Sequence, residues 1–418
     1  MNKIKSSHFY SIALLATSPI DVIDLSGGTI GFTLIPFHVF ALMYTIFNFH
    51  KLKKVKLSVH DFLRNHVPLI CFCIAVCLSS IFLESDPLNL SSRRTLILIS
   101  IIIFSIFFVY VNQKYFVFIL LKATKAYIIC NTIIFIFQSL MLVNLIPVDM
   151  IGSYVPDLMP IPDEEGILRL HGLVRDSSRS AINNIFFLTV SYIASRQSLP
   201  QENCEPLPSW IYILGTLQIF FTLSRNALAM LPIFILIVFL YDEKNTKILI
   251  TAATFIITWA ATVYILSKAE LVTMIQLMFV SSAGREYSTQ VHFELIQDAV
   301  NIFLSNTKTF IIGRGWGTEY VYTSQYFPSD KEMYGNFHSG FISAGVQSGA
   351  IAGISYFRYM LKPLLCKYEW RYFVIVLVLS NVFYQYFIQP SYWILLVGLN
   401  TPLLQMKDKK YLYGEVAH

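Results

Sequence analysis

The stretch TLILISIIIFSIFFVYVN, residues 95–112, runs for eighteen positions without a charged side chain. An α-helix needs about 20 mainly apolar residues to cross the hydrocarbon core of a bilayer, and about 17 is the lower limit. This stretch therefore predicts a transmembrane helix. Apolar stretches of similar length lie on both sides of it along the chain, so the same interpretation extends outward from here.

The whole chain has the composition of a polytopic membrane protein. Of its 418 residues, 55% are hydrophobic and only 13% are charged. A soluble protein of this length needs more surface charge to bury so much apolar side chain. We expect no cleavable signal peptide, because no A-x-A-like site follows the first apolar stretch and many such stretches come later. The predicted fold class is an all-α polytopic membrane protein.

About twelve stretches qualify as membrane spans. The first contains Pro19 and Asp21 and is the weakest, so eleven to thirteen spans are compatible with the sequence. The predicted spans are 8–25, 29–49, 66–84, 95–112, 126–146, 179–195, 208–224, 226–241, 247–267, 337–358, 372–388 and 391–406.

The distribution of lysine predicts the orientation. KLKKVK (51–56) and KDKK (407–410) fall on the same side of a twelve-span topology. Cytoplasmic loops of membrane proteins carry an excess of Lys and Arg, so we expect both termini to be cytoplasmic. The resulting parts are N-terminal transmembrane helices (1–146), an outer loop (147–178), central transmembrane helices (179–267), a large outer loop with an amphipathic helix (268–336), and C-terminal transmembrane helices with a cytoplasmic tail (337–418).

Several kinds of site are excluded by the motifs. The six cysteines fall in spans or on the inner side, so no disulfide is expected, and no metal-ligand spacing occurs. Gly313, Gly315 and Gly317 alternate, which does not match the G-x-G-x-x-G arrangement of nucleotide-binding loops. We expect them to form a tight turn instead. The sequence predicts no metal, no cofactor and no nucleic-acid partner.

Chemistry-bearing side chains concentrate on the predicted outer side. Few ionisable residues lie within the spans, whereas ion transporters usually place some near the midplane. The planar guanidinium suits phosphate recognition. The outer arginines are Arg93, Arg94, Arg169, Arg175, Arg179, Arg225, Arg285 and Arg314. We interpret Arg93 and Arg94 as lipid-headgroup anchors.

Two further segments belong to this outer side or border it. GREYSTQVHFELIQDAVNIF (284–303) has apolar residues at helical spacing and is expected to lie along the membrane surface. In GNFHSGFISAGVQSGAIAG (335–353), His338 stands where a polar turn becomes an apolar helix. The small residues that recur every fourth position in that helix predict close packing between helices.

Taken in order, these motifs resemble the bacterial O-antigen polymerase and O-antigen ligase superfamily. The resemblance covers roughly residues 165–360. It rests on RLHG (169–172), TLSRNALA (222–229), GR (284–285), GRGWG (313–317) and HSGFISAGVQSG (338–349). One position departs from the pattern: the family commonly has Asn directly after the histidine, and here it is Ser339.

The resemblance implies glycosyl transfer on the periplasmic side of the bacterial inner membrane. The donor would be an undecaprenyl-diphosphate-linked oligosaccharide, and a flippase and a chain-length regulator of the same pathway would be partners. His338 would be the general base, with Arg225 and Arg285 on the diphosphate. The further substrate-binding candidates are Arg314, Arg175, Arg179 and His171. For Arg175 and Arg179, an alternative is that they anchor the start of a helix.

Three functional alternatives stay open. A polymerase and a ligase use the same donor and differ in acceptor, which is another lipid-linked repeat unit or the lipid A core. The departure at Ser339 favours a polymerase. A flippase for lipid-linked glycans, from a different class, would place charge in a central cavity and often shows two related halves. Neither feature is visible in the sequence, and a membrane scaffold would leave the outer arginines unexplained.

Overall fold

The part of the chain that the structure describes is almost entirely helical. The computed structural model describes residues 6–22, 35–54, 59–82, 90–142, 145–146, 158–159, 161–162, 168–197, 205–222, 224, 230–231, 234–235, 294–319, 339–365, 371–387 and 389–401. The longer helices are α1 (Ser6–Thr17), α2 (Pro36–Asn48), α3 (Val59–Ile81), α4 (Leu90–Val111), α5 (Phe116–Leu142), α6 (Ser177–Gln197), α7 (Ser209–Phe221), α8 (294–304), α9 (Thr307–Ile312), α10 (Gly340–Leu361), α11 (Arg371–Phe383) and α12 (Pro390–Asn400). A two-residue antiparallel pair, β1 (Ile161–Pro162) and β2 (Leu168–Arg169), is the exception.

Helices α3, α4 and α5 are long and apolar enough to cross a membrane, and α1, α7 and α11 contain shorter apolar stretches. On α4, Leu96 and Ile103 expose 67% and 61% of their surface, which is where lipid would cover apolar side chains. These features are those of an integral membrane protein. The count of twelve spans stays a prediction, since the span 247–267 and most of 226–241 lie outside the described residues.

Helix α3 packs along α10 and fixes the two ends of this part of the bundle. In the middle, the buried Phe72 ring lies 5.5 Å from that of Tyr356. At one end, the Lys362 ammonium donates to the Asn65 backbone and side-chain oxygens at 2.9 Å. At the other end, the Ser79 and Ser348 hydroxyls are 3.1 Å apart. We call these the Lys362 end and the Ser79 end.

Helix α5 packs against α1, α6 and α7, and buried polar pairs join it to α6 and α7. Asn131 donates to the Gln218 side-chain oxygen at 2.8 Å, and the Thr124 and Ser191 hydroxyls are 2.7 Å apart. Hydrogen bonds between helices satisfy polar side chains that would otherwise face hydrocarbon. They hold α6 in place, and the start of α6 belongs to the site described below.

Helix α10 is not the single straight span that the sequence predicts over 337–358. Gly349, in its middle, has φ 83° and ψ 173°, which is backbone that almost only glycine adopts. Residues eight apart in a straight helix are separated by about 12 Å, yet a Cβ on Gly353 would lie 3.3 Å from Gly345 Cα. The Phe341 and Phe357 rings are 5.1 Å apart. Residues 340–348 and 350–361 therefore fold back on each other as a helical hairpin.

The hairpin also gives the recurring small residues a different packing role from the one that the sequence predicts. We predicted that they serve packing between different helices, but Gly345 and Gly353 bring together the two halves of α10. The second half runs from the Ser79 end to the Lys362 end. The first half starts beside the end of α11, where Gly340 N donates to Tyr384 O at 3.2 Å.

Candidate functional site

The alternating glycines of GRGWG form the predicted tight turn. The turn follows α9, which Asn306 caps by accepting from Thr309 N at 2.8 Å. The φ angles of Gly313, Gly315 and Gly317 are 85°, 101° and 77°. Glycine takes such angles without the steric cost that a Cβ would bring. We call residues 313–319 the glycine turn.

The glycine turn fills the break in α10. The change of backbone direction at Gly349 takes the Val346 and Gln347 carbonyls away from the amides that would bind them in a continuous helix. Arg314 N donates to Val346 O, and Gly315 N donates to Gln347 O, both at 2.9 Å. The turn and the hairpin therefore complete each other's hydrogen bonding.

A buried carboxyl closes the turn. Glu319 is 3% exposed, and its two oxygens accept from the side-chain amides of Gln347 at 2.5 Å and of Gln385 at 2.9 Å. Burial raises the pKa of Glu319 to about 7, against the lowering effect of the Ser343 hydroxyl, the two amides and the Arg94 charge. This carboxyl therefore gains or loses its proton near neutral pH.

Arg94 belongs to the same arrangement, a contact that its interpretation as a headgroup anchor did not include. Its guanidinium donates to Gly317 O at 2.5 Å. Its alkyl stem covers the same residue, because a Cβ on Gly317 would lie 2.3 Å from Arg94 Cδ. Arg94 and the preceding Arg93 are both exposed, and the role of each as a headgroup anchor stays a prediction.

Arg314 is held at the edge of the turn. Its backbone is bound to α10, and one terminal nitrogen of its half-buried guanidinium donates to the Ser305 hydroxyl at 3.2 Å. Ser305 directly follows α8, and the carbonyls at a helix C-terminus favour a nearby cation. The side chain thus lies beside the glycine turn, where the sequence predicts phosphate recognition.

Helix α8 is the described part of the predicted amphipathic helix 284–303. Its helical structure agrees with that prediction. Ala299 and Ile302 are buried against Val346 of α10. The apolar face therefore packs on the hairpin beside the glycine turn, which the expected position along the membrane surface did not include.

Arg175 and Arg179 lie in a second cluster at the start of α6. The Arg179 guanidinium pairs with Asp21 at 2.9 Å, and Arg175 N donates to the other Asp21 oxygen at 2.6 Å. Asp176 caps α6 by accepting from Arg179 N at 2.9 Å, and it also accepts from the Tyr384 hydroxyl at 2.9 Å. This geometry supports the helix-anchoring alternative, while a role in substrate binding stays a prediction.

His171 is fully buried, with both ring nitrogens close to backbone oxygens. Nδ1 lies 2.9 Å from Val174 O, and Nε2 lies 2.7 Å from Met159 O. The backbone N–H of His171 donates to Gln138 at 3.1 Å. The ring thus holds together the chain on either side of β1 and β2, and its predicted contact with substrate stays a prediction.

Three predicted site residues lie outside the described part of the chain: Arg225, Arg285 and His338. Two of their chain neighbours are described. The Ser224 hydroxyl donates to Ser178 in the first turn of α6 at 3.0 Å, and the Ser339 hydroxyl donates to Asn381 O on α11 at 3.4 Å. The catalytic assignments themselves stay predictions.

Polar contacts join the two clusters at the Ser79 end. Tyr384 binds Asp176 through its hydroxyl, and its neighbour Gln385 binds Glu319. The structure therefore brings Arg175, Arg179 and the glycine turn into one connected region, although they are far apart in the sequence.

With this geometry in place, comparison with known proteins gives a match over residues 210–357 to the family model described as O-antigen ligase. The predicted resemblance is confirmed. The matched region contains the glycine turn, α8 and most of α10, and it supports an integral membrane protein with glycosyltransferase-like function of the O-antigen ligase and polymerase kind. No curated protein matches the sequence.

Sequence reasoning missed four side chains of the site: Glu319, Arg94, Gln347 and Gln385. The position of Glu319, two residues after GRGWG, was an available signal, but burial cannot be seen in a sequence. Among the residues the structure describes, no three His, Cys, Asp or Glu side chains cluster as metal ligands would. Whether the reaction needs a metal stays a matter of prediction.

Proposed function

We propose that the chain is a surface-polysaccharide polymerase that joins undecaprenyl-diphosphate-linked oligosaccharide repeat units. The observation that carries the proposal is the glycine turn, which presents Arg314 from within the break of α10. This arrangement lies inside the region that matches the O-antigen ligase family. A lipid-linked donor keeps its tail in the bilayer, so its diphosphate reaches such a turn at the membrane interface.

The proposed reaction is a displacement at the anomeric carbon of the donor sugar. The acceptor hydroxyl oxygen forms a bond to that carbon, and the bond from carbon to the diphosphate oxygen breaks. Undecaprenyl diphosphate leaves with the electron pair, while the hydroxyl proton passes to His338. A neutral histidine, with an ordinary pKa of about 6.5, suits this step near neutral pH.

The leaving diphosphate requires positive charge. Arg225 and Arg285 are proposed to bind it, with Arg314 as a further ligand, because bidentate guanidinium–phosphate pairs combine charge with fixed geometry. Arginines would then serve as the cation of a metal-independent site. Arg175, Arg179 and His171 are secondary candidates, and the contacts of the two arginines favour a role in fixing α6.

We further propose a membrane topology and two partners for the enzyme. The chain would cross the bacterial inner membrane about twelve times, with both termini in the cytoplasm. The outer loops 147–178 and 268–336 would face the periplasm. A flippase would deliver the donor, and a chain-length regulator would act on the product.

A ligase is the second candidate function. The family description favours it, because the matched model is that of O-antigen ligase. A ligase would transfer the finished glycan to the lipid A core through the same chemistry. The serine at position 339, where the family commonly has asparagine, favours the polymerase.

A deletion strain tests both candidates. The strain is complemented with wild type, His338→Ala or Arg285→Ala, and its lipopolysaccharide is separated on gels, with membrane levels of each variant checked by immunoblot. The polymerase predicts a ladder restored by wild type alone, over a background of single-repeat caps. Loss of all caps with accumulation of lipid-linked polymer would identify a ligase. Equal restoration by all three proteins would contradict glycosyl transfer and favour transport.

A further inference from the structure

Glu319 is a buried carboxyl whose contacts join three segments that are separate in the chain. Its backbone belongs to the glycine turn, while its side chain accepts from Gln347 on α10 and from Gln385 in the segment after α11. Burial of a carboxyl is unfavourable unless hydrogen bonds compensate for the lost hydration. A carboxyl at this position therefore indicates a role beyond packing.

Each of the joined segments borders a candidate group of the site. The glycine turn carries Arg314. Helix α10 begins at Gly340, and Gly340 N donates to Tyr384 O. Gln385 follows Tyr384, whose hydroxyl reaches Asp176 at the start of α6. Movement of the Glu319 carboxyl would therefore displace the glycine turn, α10 and the segment after α11, which border the region that the arginines occupy.

The surroundings of this carboxyl make its hold on the turn dependent on its charge. The groups that donate to it are neutral, the Ser343 hydroxyl and the two side-chain amides, and Arg94 is the charged side chain of the described residues that acts on it. Hydrogen bonds to an ionised acceptor are roughly twice as strong as neutral ones. A protonated carboxyl also turns one acceptor oxygen into a donor, so one of the two amides must rotate.

We propose that Glu319 is a positioning residue for glycosyl transfer, whose carboxylate fixes the glycine turn, and Arg314 with it, against α10 and the segment after α11. This inference rests on the proposed function, because Arg314 matters in this way only if the donor carries a diphosphate. The ionised carboxylate holds the turn in the arrangement that binds donor. Glu319→Gln keeps the shape of the side chain and removes its charge at every pH.

The effect is expected in donor binding more than in the chemical step. At pH 8, Glu319→Gln is expected to raise KM for the donor about fivefold and to change kcat by less than about twofold, because charge-assisted bonds are replaced by neutral ones. At pH 6 the wild-type carboxyl is largely protonated, so the two proteins should approach each other in KM. A role limited to stability would not produce this pH dependence.

The experiment uses the full chain purified in lipid nanodiscs, with lipid-linked repeat units extracted from the deletion strain as the donor. Initial rates are measured between pH 6 and pH 9 for wild type, Glu319→Gln, Arg314→Ala and the double variant. Glu205→Gln, at an exposed glutamate, is the matched control. Thermal unfolding of each variant shows that comparable amounts of folded protein are compared.

The outcomes separate the two proposals. If wild type elongates no glycan, the proposed function fails. If wild type is active and Glu319→Gln has the same KM at every pH, the positioning role is overturned and the function stands. If the change in KM is as large in the Arg314→Ala background as in wild type, Glu319 does not act through Arg314, which also overturns the inference. A near-absent additional effect in the double variant supports it.

Discussion

Two carboxyl groups at the Ser79 end of the bundle hold the chain together in different ways. Asp21 faces an opposite charge, the guanidinium of Arg179, at 2.9 Å. Glu319 faces the neutral amides of Gln347 and Gln385. In the first case removal of one partner leaves a charge with its ion pair broken, so the expected loss is in stability. In the second case the charge of the carboxyl itself changes near neutral pH, so geometry, function and stability are all expected to depend on pH.

The largest expected effect comes from Gly349→Ala, which disrupts the α10 hairpin against which the glycine turn and Glu319 pack. A Cβ on Gly349 would lie 2.0 Å from Ile311 O, and its φ of 83° is unsuited to alanine. Backbone strain and overpacking each cost about 1–3 kcal/mol, so Gly349→Ala should destabilise the protein by about 4 kcal/mol. We expect low membrane levels and no transfer, measured by immunoblot and by the lipopolysaccharide gel.

Gly345→Ala is the matched control on the same helix. A Cβ there would meet the Phe303 ring at 3.6 Å, which is ordinary contact. It should leave protein levels close to those of wild type. Equal behaviour of the two variants would contradict the hairpin, because a straight helix would tolerate alanine at both positions.

The second effect concerns the Asp21 cluster. Asp21→Asn removes the charge that faces Arg179 while keeping the size of the side chain, and breaking a buried ion pair costs about 3 kcal/mol. The pair here is partly exposed, so we expect about 2–3 kcal/mol, measured by thermal unfolding in detergent. Asp61→Asn, at an exposed carboxylate on α3, is the control and should change little.

A double variant tests whether Arg179 does more than fix α6. Asp21→Asn with Arg179→Met removes both charges of the pair and keeps the side-chain oxygen that accepts from Arg175 N, so no buried charge is left without its partner. If Arg179 only fixes α6, the double variant should keep the wild-type KM for the donor. A large rise in KM in a stably folded double variant would instead place Arg179 among the substrate-binding arginines.

The fold class followed from the sequence because lipid imposes a length and an apolar composition on every span. The stretch 95–112 lies within α4 except for its last residue, and 208–224 contains all of α7. The hairpin in α10 did not follow. Glycines at every fourth position predict close packing equally well between two helices and between two halves of one. The choice depends on Gly349 meeting the glycine turn, a contact between residues distant in the chain.

The site was predictable where the residue type and its sequence context indicate a chemical role, as with Arg314 in a glycine-rich turn. It was not predictable where burial creates the chemistry. Glu319 differs from any other loop glutamate only through the amides around it, which come from α10 and from the segment after α11. Arg94 was assigned to lipid headgroups because its partner, Gly317 O, lies 223 positions away.

The third effect is a dependence of stability on pH. The pKa of Glu319 is raised to about 7 in the folded protein, whereas an unfolded glutamate has an ordinary value of about 4.3. Between these values the folded state binds more protons than the unfolded state, so the stability contributed by this group is lost as pH rises toward 7 and slightly above. We expect wild type to lose about 2 kcal/mol of stability between pH 5 and pH 8 through this group.

Glu319→Gln isolates that contribution, because other groups titrate alike in both proteins. Thermal unfolding in detergent at pH 5 and pH 8 should therefore show a smaller loss for Glu319→Gln than for wild type. Equal losses of stability in the two proteins would mean that the Glu319 carboxyl is already ionised below neutral pH. The contrast with Asp21 would then disappear.

The smallest effect separates Arg94 from Arg93. Arg94→Met keeps an alkyl stem over Gly317 and removes the hydrogen bond to its carbonyl, which for an exposed charged donor is worth at most about 1 kcal/mol. We expect a lower unfolding temperature and a modest rise in KM, since the glycine turn loses one of its supports. Arg93→Met makes the same chemical change one residue away, at a position that is also exposed. If both arginines were only headgroup anchors, the two variants would behave alike. If Arg94 on α4 supports the glycine turn, the Arg94 variant should have the lower unfolding temperature.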